Sequence, residues 1–268
     1  HDALPILGGS LGGQWRSGRW TLDGRWLGSG TDQGVPGPAL FEARDARLAQ
    51  QRHLGVLAAT TRDLLATGDQ MRLALHGGWT GQTVDDRAGE LGAPWYARQT
   101  TEVAGGQWTY TSAAWGPATL QARLGGSHGR VAVTDLRNDT EAPPSERNTA
   151  GAGLGLPLVW GPLVLSPSVT LDWLSARRMT RDGVPSVWHE VASHDLWLPT
   201  ARLGLAWWPR PGMQTTLALS DGMRPPSLQE WFGNNLAVRG NAALKAERAQ
   251  TLDGGVTLAG PLGSWQGA

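Results

Sequence analysis

The strongest constraint on the fold is a strict alternation of apolar and polar residues along most of the chain. Side chains on a β-strand point alternately to two faces, whereas a helix places apolar residues three and four positions apart. The stretches QTTLALS, ATLQARLGG and MRLALHGGW alternate in the same way as LVLSPSVTLDW. They predict about twelve strands, and several exceed the five or six residues usual in globular sheets. In LVLSPSVTLDW the apolar positions are Leu163, Leu165, Val169, Leu171 and Trp173, and the polar positions are Ser166, Ser168, Thr170 and Asp172.

Short and long connections alternate between these strands. Six short turns begin 45 to 51 residues apart, and a longer polar segment separates each turn from the next. This order predicts a chain that runs up and down, with the short connections at one end and the long ones at the other. The short turns are Arg16–Gly18, Thr67–Asp69, Gly116–Pro117, Gly161–Pro162, Pro209–Gly212 and Gly260–Gly263, and the long segments are Gly30–Gln51, Val84–Thr101, Asp135–Arg147, Met179–His194 and Asp221–Glu247.

Two antiparallel architectures fit this pattern. One is a soluble sheet whose apolar face covers a core. The other is an up-and-down transmembrane β-barrel with its apolar face in lipid and its polar face toward the lumen. The strand lengths, the unequal connections and the charges on the polar face favour the barrel, which we predict. Its outward set is Leu163, Leu165, Val169, Leu171, Leu217 and Leu219, and its inward set is Arg72, Arg123, Asp172 and Gln214.

The placement of tryptophan supports the barrel. The chain has 15 Trp but only 2 Tyr and 2 Phe, and many of the indoles lie beside short turns. Indole rings favour the lipid–water interface, so they predict an aromatic girdle at the short-turn end. The second turn lacks Trp. The predicted girdle consists of Trp15, Trp20, Trp115, Trp160, Trp207, Trp208 and Trp265.

Three short motifs could suggest an enzyme, but none has the required context. His189-Glu190 with His194 has one residue too many for the zinc-protease spacing. Gly8–Gly12 fits the serine-hydrolase string, yet no helix follows it. Gly151–Gly155 lacks the last glycine of a dinucleotide loop. We therefore predict no catalytic residues, no metal site and no cofactor.

Charge and cysteine content exclude further classes. The formal net charge is zero, which gives no indication of a nucleic-acid partner. The chain has no Cys, which excludes disulfide scaffolds, cysteine–zinc sites and thiol catalysis.

One segment departs from the plain strand pattern and carries a family resemblance. Met223–Glu247 holds an Arg-Pro-Pro-Ser turn, a Leu-Gln-Glu-Trp-Phe cluster and a Gly-Asn pair between two strands. This arrangement, followed by the strand Thr251–Val256, resembles TonB-dependent outer-membrane receptors. Ala242 and Ala246 stand where that family usually has Pro. The motif residues are Arg224, Pro226, Ser227, Leu228, Glu230, Gly240, Asn241, Leu244 and Glu247.

The resemblance implies both an architecture and a function. Such receptors have a 22-stranded barrel closed by a plug, so residues 1–268 would form a partial barrel domain without the plug and the C-terminal strands. They lie in the bacterial outer membrane and import scarce ligands, such as iron–siderophores or cobalamin, with energy supplied through TonB. The implied partners are outer-membrane lipid, a small-molecule ligand such as a metal chelate, and the TonB complex. For the motif residues we expect an architectural role at the vestibule.

Two other function classes share parts of the pattern. A passive porin has the same strands, girdle and unequal connections. A kelch-like β-propeller also has Gly-Gly pairs, tryptophan and a period near fifty, and GGQW occurs at Gly12–Trp15 and Gly105–Trp108. Each propeller repeat needs four strands, whereas this sequence offers two long ones per period. The receptor barrel remains our prediction.

Overall fold

The computed structural model describes residues 7–35, 43–91, 94–181, 188–233, 240–260 and 263–267. Most of these residues lie in long β-strands, and the one described helix has five residues. The strands are β1 Leu7–Ser17, β2 Trp20–Gly34, β3 Arg47–Arg62, β4 Gln70–Asp86, β5 Trp95–Thr111, β6 Gln121–Asp135, β7 Thr140–Gly155, β8 Leu158–Trp160, β9 Leu163–Arg181, β10 Trp188–Arg210, β11 Met213–Arg224, β12 Glu247–Gly260 and β13 Gly263–Gly267; helix α1 is Leu228–Phe232.

All of the strands belong to one antiparallel sheet. Twelve strands follow one another in chain order, and the three-residue β8 pairs with β9 beside this path. Glycines with positive φ, such as Gly18 at 53° and Gly212 at 81°, allow two-residue turns. The predicted fold class and strand number are confirmed. Within the described ranges the strands are not grouped in fours, which contradicts the propeller alternative.

The short and long connections lie at opposite ends of the strands, as predicted, but the long ones are shorter than the sequence indicated. The predicted connection Gly30–Gln51 is reduced to the residues between Gly34 and Arg47. Both β2 and β3 continue beyond the residues that alternate between apolar and polar. Polar residues can extend the ladder there, since backbone pairing does not require alternation. Two neighbouring long connections also touch: a Glu90 carboxylate oxygen accepts hydrogen bonds from the amides of Asp45 and Ala46 at 2.8 and 2.9 Å.

The strand register separates the predicted residues onto two faces. Leu165 pairs with Leu205, which pairs with Leu217, so all three share one face. Arg72 pairs with Thr109, and Thr109 pairs with Arg123 on the other face. We call these the apolar face and the polar face.

An ion pair on the polar face depends on a glycine. Arg123 lies 3.7 Å from the Asp172 carboxylate of β9, across the intervening strand β7. A Cβ at Gly151 of β7 would lie 1.8 Å from that carboxylate oxygen. Glycine at this position therefore leaves room for the Asp172 side chain.

Burial in this sheet is inverted relative to a soluble protein. Large apolar side chains on the apolar face are exposed, for example Val169 at 57%. A small buried cluster instead lies on the polar face, near the long connections. Within the described ranges, no helix has the length and apolarity needed to cross a membrane. The buried cluster consists of Leu174, Ala176, Leu198, Trp231 and Phe232.

The two faces give a direct test of membrane placement. In lipid, oxygen is expected to speed the relaxation of spin labels at Leu165, Val169 or Leu219. A water-soluble nickel reagent should have little effect on the relaxation of these labels. Labels at Arg72 or Gln214 are expected to behave in the opposite way, because those positions lie on the polar face. Electron paramagnetic resonance accessibility measurements on the complete protein check this. A reversed pattern would contradict the assignment.

Candidate functional site

The connection between β11 and β12 begins with a helix cap. The Ser227 hydroxyl accepts a hydrogen bond from the Glu230 amide at 3.1 Å, and a Glu230 carboxylate oxygen accepts one from the Ser227 amide at 2.6 Å. This reciprocal pair is a capping box, which satisfies amides that have no partner inside a helix. It starts α1 directly after the buried Pro226. The sequence carries a signal for this cap, the Ser-x-x-Glu spacing of Ser227 and Glu230.

Arg224 ties the helix cap to both strand ends. Its Nε donates to Glu247 at 3.0 Å, and its Nη2 donates to Glu230 at 3.2 Å. Arg224, the last residue of β11, and Glu247, the first residue of β12, also pair with each other at this end of the two strands. All three side chains are substantially exposed, so each ion pair adds little to the stability of the fold. The main effect of the triad is to align the helix with the strands.

These contacts stabilise the charged form of Glu230. The Ser227 amide, the Arg224 guanidinium and the Ser227 hydroxyl lower the pKa of Glu230 from its ordinary 4.5 to about 2. A folded-state pKa below the unfolded value adds stability that is present above pH 4.5 and is lost as the pH falls toward 2. The cap should therefore be intact at neutral pH.

This pKa predicts how the cap responds to acid. Protection of the Ser227 and Glu230 amides against hydrogen exchange is expected to be constant above about pH 5, after correction for the intrinsic exchange rate. It should decline between pH 4.5 and about 2. Glu230→Gln should lower the protection and remove the decline. A wild-type profile that is flat across this range would contradict the prediction.

Trp231 and Phe232 attach α1 to the polar face. Trp231 is 2% exposed and Phe232 is 6% exposed. The Trp231 ring stacks on His194 of β10 with centroids 4.9 Å apart, and its Nε1 donates to the Leu244 carbonyl at 2.9 Å. The ring thus joins the helix, the sheet and the returning segment, while the Leu244 side chain itself is exposed.

Two arginines of the sheet hold the two ends of the helix. Arg147 of β7 donates to the carbonyl of Pro226, and its guanidinium lies 5.8 Å from the Trp231 ring centroid. Arg178 of β9 donates to the Phe232 carbonyl at 2.9 Å. The two bonds span 79 and 54 residues of sequence. No local pattern indicated them.

Two glycines and an asparagine return the chain to β12. Gly233 ends the helix with a φ of 73°, a conformation that favours glycine. A Cβ at Gly240 would lie 2.3 to 2.4 Å from backbone atoms of residues 231–233. The Asn241 amide donates to the Glu230 carbonyl at 2.8 Å, and the Asn241 side chain accepts from the Ala243 amide at 3.0 Å. Seven of the nine predicted motif residues therefore make polar contacts, Pro226 and Leu244 through their carbonyls, and Gly240 lies against the backbone of the helix end.

A cavity of about 340 Å³ lies between this connection and strands β5 to β7. Its walls are mainly apolar, and Arg147 and Arg178 lie at its border. This combination suits the binding of a small ligand more than a reaction. Among the described residues, no three metal-ligating side chains come together. Residues that line the cavity include Val103, Val131, Val133, Leu228 and Phe232.

The predicted girdle residues lie at the short-turn end, some within strands on the apolar face and others at the turns. Trp15 pairs with Leu22 on the apolar face, and Trp207 pairs with Leu163. Trp208 lies in a bulge, and the side chain of Trp265 falls outside the described residues. Leu65, which is 70% exposed, occupies the turn that lacks Trp. Trp20, Trp115 and Trp160 are exposed at their turns.

A second aromatic level lies toward the long connections, and the sequence reasoning missed it. On the apolar face His53 lies between Trp26 and Trp79, with centroid distances of 5.8 Å on both sides. Trp173 pairs with Trp197, which is 64% exposed. Trp197 lies ten residues from Trp207 on β10. At about 3.3 Å per residue and a tilt of about 40°, the two levels are about 25 Å apart, the height of a membrane band.

Comparisons with known proteins agree with this architecture. Residues 7–268 match the family described as TonB dependent receptor-like, beta-barrel. No curated protein matches the sequence. Among solved structures, the copper transporter OprC superposes with a TM-score of 0.74 at 14% identity, covering 96% of this chain and 44% of that one.

Two further structures superpose in the same way. The siderophore receptor PiuA from Acinetobacter baumannii gives a TM-score of 0.70 at 13% identity, covering 96% of this chain and 48% of that one. The FrpB iron transporter from Neisseria meningitidis gives 0.68 at 12% identity, with 96% and 42% covered. The chain thus spans less than half the length of these proteins, and the likeness to them concerns the fold.

Proposed function

The chain belongs to the TonB-dependent receptor-like β-barrel family of the Gram-negative outer membrane, and we propose that it forms part of a receptor for energy-coupled uptake of a scarce ligand. Residues 1–268 would supply part of the barrel wall and the vestibule. A plug and further strands would come from the rest of the protein, and TonB would act through that plug. The ligand would be a small metal chelate such as an iron–siderophore, or cobalamin.

The observation that carries this proposal is the folded β11–β12 connection on the polar face. A passive pore needs its lumen open, whereas here Trp231 and Phe232 bury against the wall and Arg147 and Arg178 hold the helix in place. Such a connection narrows the lumen and gives one side of the vestibule a rigid shape. A rigid wall favours binding because its side chains and backbone lose little conformational entropy when the ligand binds.

The charges of the polar face favour an anionic ligand. Although the whole chain is formally neutral, the register places more arginines than acids on this face. A surface with a surplus of one charge attracts ligands of the opposite charge. Several metal chelates carry negative charge. Arginines on the polar face include Arg25, Arg52, Arg72, Arg123, Arg147 and Arg202.

Uptake by cells that express the complete protein tests the proposal. Cells would receive a panel of radio-iron siderophores and labelled cobalamin, with an intact or a collapsed membrane potential and with or without TonB. We expect accumulation of at least one ligand, and its loss when either the potential or TonB is removed. Accumulation that is unchanged when the membrane potential or TonB is removed would identify a passive channel, the alternative function. That result would overturn the proposal.

The Arg224–Glu230 pair provides a separate prediction. Replacing both residues by Ala removes the carboxylate half of the capping box, the Arg224–Glu230 pair and the link to Glu247. We expect impaired assembly or uptake without a new leak, because the strands themselves remain paired. Uptake assays combined with sensitivity to large antibiotics check this. Replacing Arg47 and Asp32 by Ala, which removes an ion pair between the ends of β2 and β3, is the matched control.

A further inference from the structure

Three valines lie on the polar face near the long connections, where the lumen side of a barrel usually has polar residues. Val103 of β5 is an even number of residues from Thr109, and Val131 and Val133 of β6 are an even number from Arg123. Thr109 and Arg123 pair on the polar face, so the three valines share that face and are neighbours across the β5–β6 pair. We call Val103, Val131 and Val133 the valine patch.

Helix α1 covers only part of the valine patch. Leu228 and Phe232 lie four residues apart, on one side of the helix, and they line the cavity of about 340 Å³ together with the valine patch. Phe232 is 6% exposed, whereas Val103 is still 37% exposed. Packed interiors rarely leave voids larger than a water molecule, and an apolar cavity of about 150 Å³ already binds benzene. The remaining space therefore suits an apolar group of about ten carbon atoms.

The border of the cavity has a positive charge that the protein balances poorly. Arg147 donates one hydrogen bond to the Pro226 carbonyl, and its Nε is buried with no hydrogen-bond partner within the described ranges. Glu230 attracts this guanidinium, but its carboxylate is already bound by Arg224 and by the Ser227 amide. A partly buried cation without its own counterion is costly, so an anion beside Arg147 would be stabilised.

We propose that this cavity binds the apolar arm of an anionic ligand. An alkyl or aryl group of about ten carbon atoms packs between the valine patch and α1, and the anionic group lies beside Arg147. Arg178, which holds the Phe232 carbonyl and also lines the cavity, adds to the positive charge. This inference rests on the proposed function and deepens it, because it gives the imported ligand an apolar arm that the surplus of arginines does not require.

Binding of two simple carboxylates to the complete receptor tests the proposal. The probes are decanoate and naphthoate, each with a trifluoromethyl group, and fluorine NMR follows them. The receptor is held in an amphipathic polymer, because the alkyl chains of a detergent would compete for the cavity. A shifted resonance of the bound probe is expected for at least one carboxylate, and the probe that gives it shows whether the arm is alkyl or aryl.

Filling the cavity should abolish this signal. Val131→Phe leaves both arginines and α1 unchanged but occupies the space beside them, so we expect binding to weaken by at least about tenfold. Val169→Phe, on the apolar face, is the matched control and should bind like the wild type. Val131→Thr keeps the shape and adds a hydroxyl group. It should also weaken binding, and it serves if Val131→Phe lacks the heat-modifiable mobility of a folded barrel.

The anionic group has its own variant. Arg147→Gln is expected to weaken binding of the carboxylate probe about tenfold, the loss of one charge-assisted contact. Binding of the matching uncharged alcohol should change little, and Arg72→Gln, elsewhere on the polar face, should behave like the wild type. Equal weakening of the carboxylate and the alcohol would mean that Arg147 acts only by holding the helix, and would overturn the anionic part.

Two results would overturn the proposal as a whole. One is the absence of a shifted resonance for both carboxylates with the wild type, and the other is an unchanged resonance in Val131→Phe. Uptake measured on the same proteins separates this inference from the proposed function. Uptake that needs TonB, without binding of either probe, would overturn the inference alone. Probe binding together with uptake that does not need TonB would overturn the proposed function alone.

Discussion

Replacing Trp231 by Ala is expected to lower the free energy of opening the β11–β12 connection by about 3–5 kcal/mol, the usual cost of deleting a buried aromatic ring. The ring is 2% exposed, stacks on His194, and donates its indole N–H to Leu244. Its loss leaves a cavity and an unpaired carbonyl. Amides of the connection, such as those of Trp231 and Asn241, should then exchange at least about 100-fold faster, because 1.4 kcal/mol corresponds to a factor of ten.

Two other variants separate the contributions to this effect. Trp231→Phe keeps an aromatic ring but removes the indole donor. We therefore expect the free energy of opening to fall by a smaller amount, about 1 kcal/mol for the lost hydrogen bond plus the cost of leaving the Leu244 carbonyl without a partner. Trp197→Ala removes an exposed Trp on the apolar face and should leave the exchange of the connection unchanged. If Trp231→Ala had the same protection against hydrogen exchange as the wild type, the Trp231 ring would not be what holds the connection in place.

Replacing Gly240 by Ala is expected to displace the returning segment, although the change adds only one methyl group. Its Cβ would lie 2.3 to 2.4 Å from the amide of Gly233, the carbonyl carbon of Phe232 and the carbonyl oxygen of Trp231. These are backbone atoms, so no side chain can rotate to relieve the contact. Strain of this kind typically costs about 1–3 kcal/mol, and more where the backbone cannot shift. The Asn241–Glu230 hydrogen bond should be lost first.

A second glycine provides the matched control. A Cβ at Gly222, on β11, would meet only the Thr200 side chain at an ordinary distance of 3.6 Å. Gly222→Ala should therefore leave the connection intact. Limited proteolysis of the complete receptor, with the rate of cleavage in the connection as readout, compares the two variants. Equal cleavage rates would mean that the close approach at Gly240 is not needed.

The sequence determined the architecture because alternation and turn chemistry are local. Side chains of a strand must alternate between two faces, so the parity of Leu163, Leu171 and Asp172 assigned each to its face before any pairing was known. Gly18 and Gly212 marked two-residue turns for an equally local reason. Strand order followed, because short turns force consecutive strands to pair.

Motif spacing indicated where the site lies but not how it is held. The resemblance selected Arg224, Glu230 and Gly240, and the contacts of these residues lie within the β11–β12 connection and the strand ends beside it. Two breaks in alternation, at Trp173-Leu174 and at Leu196-Trp197-Leu198, also carried information. They put apolar residues on both faces at once, which indicates that something covers the polar face there. The capping box at Ser227 and Glu230 was a further local signal.

Only the tertiary structure decided what covers the polar face and which residues hold it. Arg147 and Arg178 resemble every other polar-face arginine in the sequence, and their contacts with Pro226 and Phe232 depend on bringing β7 and β9 beside α1. The alignment of Glu102, Arg130 and Glu146 across the apolar face likewise depends on strand register, since a shift by one residue would move Arg130 to the opposite face. Alternation along a chain fixes the face of each side chain, but the partner of each side chain is fixed only when distant strands lock into register.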